Sequence, residues 1–234
     1  MNDGALPDFF HNHLPEPVVI PAAGIQLRGT LTLPPYPVGI VMFAHGSGSS
    51  RLSRRNQRVA NELVSANLGT LLFDLLSEGE AATQANVFDV ELLAGRLRQA
   101  TDWIAARAAT ADLPLGYFGA STGAAAALVA AADDRRVCVV VSRGGRPDLA
   151  GDFLPDVTAP TLLIVGGADT VVLALNRAAY ERLGCIKRLE VVPGATHLFE
   201  EPGALDAVAA LARLWFLDHL NRTTVVGTQE EAVR

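Results

Sequence analysis

The pentapeptide Gly119-Ala120-Ser121-Thr122-Gly123 follows the apolar run 115–118 and leads directly into the alanine-rich run 124–132. A serine at such a strand-to-helix junction sits on a sharp turn. The flanking positions have to be glycine, because a Cβ at either would strike the neighbouring strand or helix. The turn lifts the hydroxyl to the top of a sheet, at the positive end of the following helix. A hydroxyl in that place can attack a carbonyl, but it is a weak nucleophile until a base takes its proton. A base, an acid to orient that base, and donors for the oxyanion must therefore come from elsewhere in the chain.

Apolar runs at 38–44, 70–74, 115–118, 137–142, 161–165 and 188–192 alternate with helical patterns at 53–66, 89–109, 121–132, 173–183 and 203–220. Ahead of them, runs 18–20 and 25–33 flank Pro21-Ala22-Ala23-Gly24, as the strands of an antiparallel hairpin do. This alternation predicts an α/β fold with a mostly parallel, doubly wound sheet opened by an N-terminal antiparallel hairpin. One domain is expected over residues 18–222, preceded by an irregular segment 1–17 and followed by a tail at 223–234, where apolar periodicity is lost. The connection 143–160 is too short to hold a large lid, so an open site is expected.

In an open parallel sheet, functional groups gather at the carboxyl ends of the strands. Just past those ends stand Asp169, in Gly166-Gly167-Ala168-Asp169, and His197, in Pro193-Gly194-Ala195-Thr196-His197. An unperturbed imidazole titrates near pH ~6.5, so His197 can serve as the base near neutrality. Asp169 would fix its tautomer and stabilise its charged form. The oxyanion donors are expected to be the backbone N–H of Thr122 and that of Ser47, in the loop His45-Gly46-Ser47-Gly48-Ser49. Gly46 and Gly48 let that loop pass close to a substrate, and His45 is read as holding it by hydrogen bonds rather than as a base. Asp74, which ends another apolar run, is an alternative acid; the plainer reading has it hydrogen-bonding the loop beside the site. Arg51, Arg54, Arg55 and Arg58 read first as a solvated face and second as an anion-binding rim, to which Arg143 and Arg146 would add.

Composition narrows the classes. Half of the 234 residues are hydrophobic, which allows a sizeable core, and the net charge of −6 argues against nucleic acid as a partner. No Lys or Arg precedes Arg28 and no long apolar run opens the chain, so a secretory signal is not expected. The apolar stretch 116–132 is short and interrupted by glycine, so no membrane span is expected either. Two cysteines, Cys138 in a buried strand and Cys185 in a loop, support neither a disulfide framework nor a metal site. A cytoplasmic protein is the simplest expectation, with its oligomeric state open.

The segments 45–50 (HGSGSS), 119–123 (GASTG), 165–172 (VGGADTVV) and 193–205 (PGATHLFEEPGAL) resemble those of small α/β-hydrolases of the dienelactone-hydrolase-like group. The chain order Ser, Asp, His is that of the fold, and the resemblance spans about residues 18–220. With 142–150 (SRGGRPDLA), it is similar more narrowly to hydrolases fused to, or found beside, phosphoribosyltransferase domains; the paired acidic phosphate-loop motif of such a transferase is absent. The resemblance implies an α/β-hydrolase fold without a large lid domain. It also implies catalytic Ser121, Asp169 and His197, a small-molecule ester or lactone as substrate, and no metal or organic cofactor. True dienelactone hydrolases use a cysteine nucleophile, so serine here favours a more ordinary ester of short or medium acyl length. A thioesterase, peptidase or other acyl-transfer enzyme would use the same groups, and a binding or sensory protein that keeps the fold without turnover is the alternative from another class.

Overall fold

The computed structural model describes residues 14–230, and of residues 221–230 the backbone alone. Strands β1 (Glu16–Ala22) and β2 (Ile25–Thr32) form the expected hairpin. Its turn residues Ala23 and Gly24 have φ of 41° and 83°, the positive values that a tight two-residue connection needs. Then follow β3 (Ile40–Ala44), α1 (Arg54–Ser65), β4 (Gly69–Phe73), α2 (Glu78–Ala81), α3 (Gln84–Phe88) and α4 (Val90–Ala105). The second half holds β5 (Leu115–Ala120), α5 (Thr122–Asp133), β6 (Val137–Arg143), a 3-10 segment Pro147–Asp156, β7 (Thr161–Gly166), α6 (Thr170–Arg182), β8 (Lys187–Val192) and α7 (Ala204–Glu230).

The strands form one sheet in the order β1-β2-β4-β3-β5-β6-β7-β8. β2 is antiparallel to β1 and β4, and every other pairing is parallel. The chain steps from β3 out to β4, then crosses β3 to reach β5. The carboxyl ends of β3 and β5 therefore flank the point where the winding reverses, which is where a crevice opens in such sheets.

The central strands are apolar throughout because both faces are covered. Alternation still sorts them: Met42, Leu71, Tyr117, Val140 and Leu163 face α4 and α5. Val41, Phe43, Phe118, Val141 and Ile164 face α1 and α7. Phe216 of α7 packs on Gly116, where an added Cβ would stand 2.8 Å from its ring. On the other face a buried polar pair is closed, the Tyr117 and Thr101 hydroxyls lying 2.6 Å apart.

Four local features depart from the sequence reading. The stretch 78–88 forms two short helices with no buried residue, started by a reciprocal capping box between Ser77 and Glu80. A four- or five-residue helix has too few positions for an apolar period to register. β1 begins at Glu16, inside the stretch read as irregular, because backbone pairing with β2 needs no apolar side chain; residues 1–13 of that stretch lie outside the described residues. Helical backbone in α7 continues to Glu230, into the stretch read as a tail, since a helix needs no apolar stripe to satisfy its own hydrogen bonds. Cys138, expected in the core, is half-buried at its margin on the α7 side, one residue into β6. Phe216→Ala should lower the unfolding free energy by about 3–5 kcal/mol in a denaturant titration, since its fully buried ring would leave a cavity against the sheet.

Candidate active site

β5 ends at Ala120 and α5 begins at Thr122, leaving Ser121 alone at the junction with φ 52° and ψ −125°. The two glycines make that turn feasible. A Cβ on Gly119 would run into Ala124 of α5, and one on Gly123 into the carbonyl of Ala44 at the end of β3. The Ser121 N–H donates to the Arg143 carbonyl (3.4 Å), and the Ser121 carbonyl accepts from the N–H of Arg146 (3.1 Å) and of Ala124 (3.0 Å). The nucleophile candidate is thus fixed on both sides by backbone.

Asp169 and His197 stand on the loops after β7 and β8. These loops are joined by N–H donation from Ala168 to Ala195 and from Gly167 to Val192. Gly166 permits this, because a Cβ there would meet the Ala195 carbonyl. The His197 Nδ1–H donates to Asp169 Oδ2 at 2.8 Å. The carboxylate is 15 % exposed and the imidazole 40 %, so the acid is sheltered and the base open to solvent. That bond leaves Nε2 as the ring nitrogen able to accept a proton. The ring reaches over Gly144, where an added Cβ would lie 3.7 Å from His197 Cε1, and Gly144 follows the residue whose carbonyl holds Ser121. Three strand ends thus bring Ser121, His197 and Asp169 to one edge of the sheet.

The loop after β3 approaches from the other side. A Cβ on Gly46 would stand 2.8 Å from that of Ser121. His45 holds this loop, with Nε2 accepting the Leu75 N–H (3.1 Å) and Nδ1 donating to the Gly46 carbonyl (3.0 Å). The acceptor bond at Nε2 requires a neutral ring, and burial pulls its pKa below the ordinary imidazole value. Asp74 hydrogen-bonds the same loop, accepting from the Arg51 N–H at 2.8 Å and its guanidinium at 2.6 Å. The Ser47 N–H donates to Thr122 Oγ1 at 2.8 Å, so this donor is already engaged by a neighbouring hydroxyl.

Of the two rim candidates, one lies elsewhere than the sequence suggested, and the other, beside Ser121, is already paired. Arg143 is the last residue of β6 and turns toward α1, where it is buried against Asn56; strand alternation sends it to the face opposite Ser142. Arg146 is held by Asp148 through three short contacts of 2.7–3.2 Å. Asn176 went unnoticed in the sequence. Fully buried on α6, it donates to the Gly145 carbonyl at 3.0 Å and so steadies the turn beneath Ser121. Its position in an ordinary helical pattern carried no signal. A cavity of about 610 Å³ opens beside the loop after β3, walled by Leu52, Leu76, Val87 and Leu93 and rimmed by Arg28 and Ser77. It adjoins Ser121 through Gly46 and Ser47, which line both. Among the described residues no cluster of three His, Cys, Asp or Glu could hold a metal ion, and no helix is long and apolar enough to cross a membrane.

No family model matches the chain. A solved structure of a dienelactone hydrolase from Anabaena variabilis shares 54% identity, covering 88% of this chain and 99% of the other, with a TM-score of 0.86. The chain belongs to the dienelactone hydrolase family of α/β-hydrolases. Est1E from Butyrivibrio proteoclasticus, at 16% identity and a TM-score of 0.75 over 87% of this chain and 98% of its own, shares the fold. A Mycobacterium tuberculosis protein named "putative phosphoribosyl transferase" is 62% identical over 206 residues, which make up 88% of this chain and 46% of that protein. The chain thus spans about half the length of the curated relatives it matches.

The clamp at His45 has a consequence for stability. An imidazole whose folded pKa lies below its unfolded value stabilises the fold fully above about pH 6.5 and loses that contribution as pH falls through this value. Unfolding free energy should decline between pH 6.5 and 5 by at most about 1.4 kcal/mol per unit from this group. Urea titrations of His45→Asn should show a flatter profile over that interval.

Proposed function

We propose that the chain is a serine hydrolase that cleaves a carboxylic ester or lactone through an acyl-enzyme. The hydrogen bond of 2.8 Å between Asp169 and His197 carries this reading, because it presents an oriented base at the sheet edge where Ser121 occupies its turn. Ser121 Oγ attacks the carbonyl carbon while His197 Nε2 takes its proton. The tetrahedral intermediate collapses, and His197 returns the proton to the leaving alcohol. Water, deprotonated by the same nitrogen, then releases the acid and restores Ser121. Asp169 holds the ring tautomer throughout. The cavity beside the oxyanion loop suits a short or medium acyl group along its leucine and valine wall. A thioester or amide would follow the same path, so a substrate panel belongs in the test.

A fluorophosphonate should label Ser121, and Ser121→Ala should lower kcat on the order of 10⁶-fold in an ester assay. Full turnover by the alanine variant would sink the assignment. Labelling without turnover on esters, thioesters or amides would favour a ligand-binding protein that keeps the fold.

The oxyanion site needs a second donor besides the Thr122 N–H. Because the Ser47 N–H is spent on Thr122 Oγ1, the hydroxyl proton of Thr122 is the one left to point outward, polarised by the N–H behind it. Thr122→Val should therefore lower kcat about 10²- to 10³-fold with KM little changed, and Thr122→Ser should restore most of it. A valine variant as active as the parent would show that the Ser47 N–H suffices as the second donor.

A further inference from the structure

Arginines on this protein are generally matched by carboxylates where they are shielded from water. Arg96 meets Glu80 and Arg51 meets Asp74, both at 2.6 Å, and Arg146 meets Asp148 at 2.7 Å. Arg143 is the exception. It is 7 % exposed, donates from Nη2 to the amide oxygen of Asn56 at 3.0 Å, and leaves Nε buried without a partner. No carboxylate lies within ion-pair distance of it among the described residues. Burial, together with the like charge of Arg55, pulls its pKa down to about 10. Arg55 has an unpartnered buried Nε of its own, and its Nη1 reaches Glu200 at 3.1 Å, a carboxylate 66 % exposed. Arg54, next to it, makes no ion pair among the described residues.

A cation taken out of water without a counter-charge is strongly unfavourable, and an orphaned buried donor calls for an absent ion or water. A cavity of about 360 Å³ opens here, lined by Gly48, Ser49, Ser50, Ser53, Arg54 and Arg55. Arg143 does not line it, but is held to Asn56 in the first turn of α1, next to Arg55. The Ser53 hydroxyl takes the Asn56 N–H, which leaves the N–H groups of Arg54 and Arg55 without helical acceptors. Of the three guanidiniums only that of Arg55 has an ion pair among the described residues, with Glu200, so two positive charges remain to be met. A carboxylate ligand would meet one of them. A phosphate group meets both and has enough oxygens for the converging donors.

We propose that this cluster is a phosphate-binding site, in which Arg55 and the first turn of α1 hold the phosphate oxygens while Arg143 supplies charge next to Arg55. The phosphate is either free or carried on a substrate, since the same loop runs from this cavity to Ser47 beside Ser121. The rival role for Arg143 is that of a strut, its guanidinium lying 6.0 Å from the Phe199 ring that follows His197.

Calorimetric titration and thermal unfolding with sodium phosphate, against sodium chloride at equal ionic strength, separate these roles. The parent protein should bind phosphate saturably at one site and melt higher in its presence. Arg143→Met should bind at least tenfold more weakly while melting no lower than the parent without phosphate, as expected on removing an uncompensated buried charge. Arg55→Gln, a change at a more exposed side chain, should weaken binding as much and stands in should the first variant not fold. Ser121→Ala should bind phosphate as the parent does, so the result is independent of the hydrolase reading. Competitive inhibition of neutral-ester turnover by phosphate would assign the group to the substrate, and non-competitive behaviour to a free ligand. Absence of saturable binding, or equal affinity in both arginine variants, overturns the proposal.

Discussion

The left-handed backbone at Ser121 is the constraint around which the rest of the molecule is arranged. A non-glycine residue at φ 52° and ψ −125° costs on the order of 1–3 kcal/mol, and persists only where its surroundings over-determine it. Here the surroundings do so through contact rather than through side-chain bonds. β5 and α5 approach so closely that Gly119 touches Ala124 and Gly123 touches the end of β3. That proximity in turn explains the alanines of α5, which are buried from Ala124 to Ala127. Larger side chains would lift the helix off the sheet and relax the turn. A helix buried nearly all round has no amphipathic stripe, and its stability comes from this packing rather than from its own pattern.

The other two groups of the candidate site are held differently. Ser121 is locked within one strand-turn-helix unit, whereas Asp169 and His197 depend on two loops tied to each other across Gly166, Ala168 and Ala195. The carboxylate is also the N-cap of α6, accepting the Val172 N–H at 3.4 Å with the oxygen that does not face the imidazole. One side chain thus starts a helix and orients a ring. Beyond the ring, the chain turns at Phe199, a buried residue at φ 55°, and Glu201 accepts the Thr196 N–H at 3.0 Å. His197 therefore projects from a loop closed at its base, which keeps it aligned although it is the more exposed partner.

Most of the sheet was legible because buried parallel strands write themselves as continuous apolar runs bounded by glycine and proline, and six such runs alternate with helical patterns here. The hairpin was legible from its turn. The placement of Ser121, Asp169 and His197 at strand ends was legible because each follows shortly on an apolar run. Side-chain direction at the very last strand residue was not. Arg143 sits in Ser142-Arg143-Gly144-Gly145-Arg146, and nothing in that string says where the strand stops and the turn begins. One further residue of strand sends Arg143 to the α1 face, away from the cleft. The bond from Ser47 to Thr122 was equally hidden, since the two residues are separated by 75 positions and joined only by the packing of two loops.

The loop between β3 and α1 ties these features together. One end presents Gly46 and Ser47 to the candidate nucleophile, and the other starts α1 at Arg54 and Arg55, close to Arg143. Its two anchors, His45 and Arg51, both engage the short stretch just past β4, at Leu75 and Asp74. The geometry of the loop beside Ser121 and that of the arginine cluster are therefore referenced to one point on the sheet. Neither end can shift without straining a neutral imidazole that donates and accepts at once, or a carboxylate bound by both the backbone and the side chain of Arg51. A loop anchored in this way is a rigid spacer. The separation between Ser121 and the arginines then acts as a fixed dimension, and a ligand spanning both would have to match it.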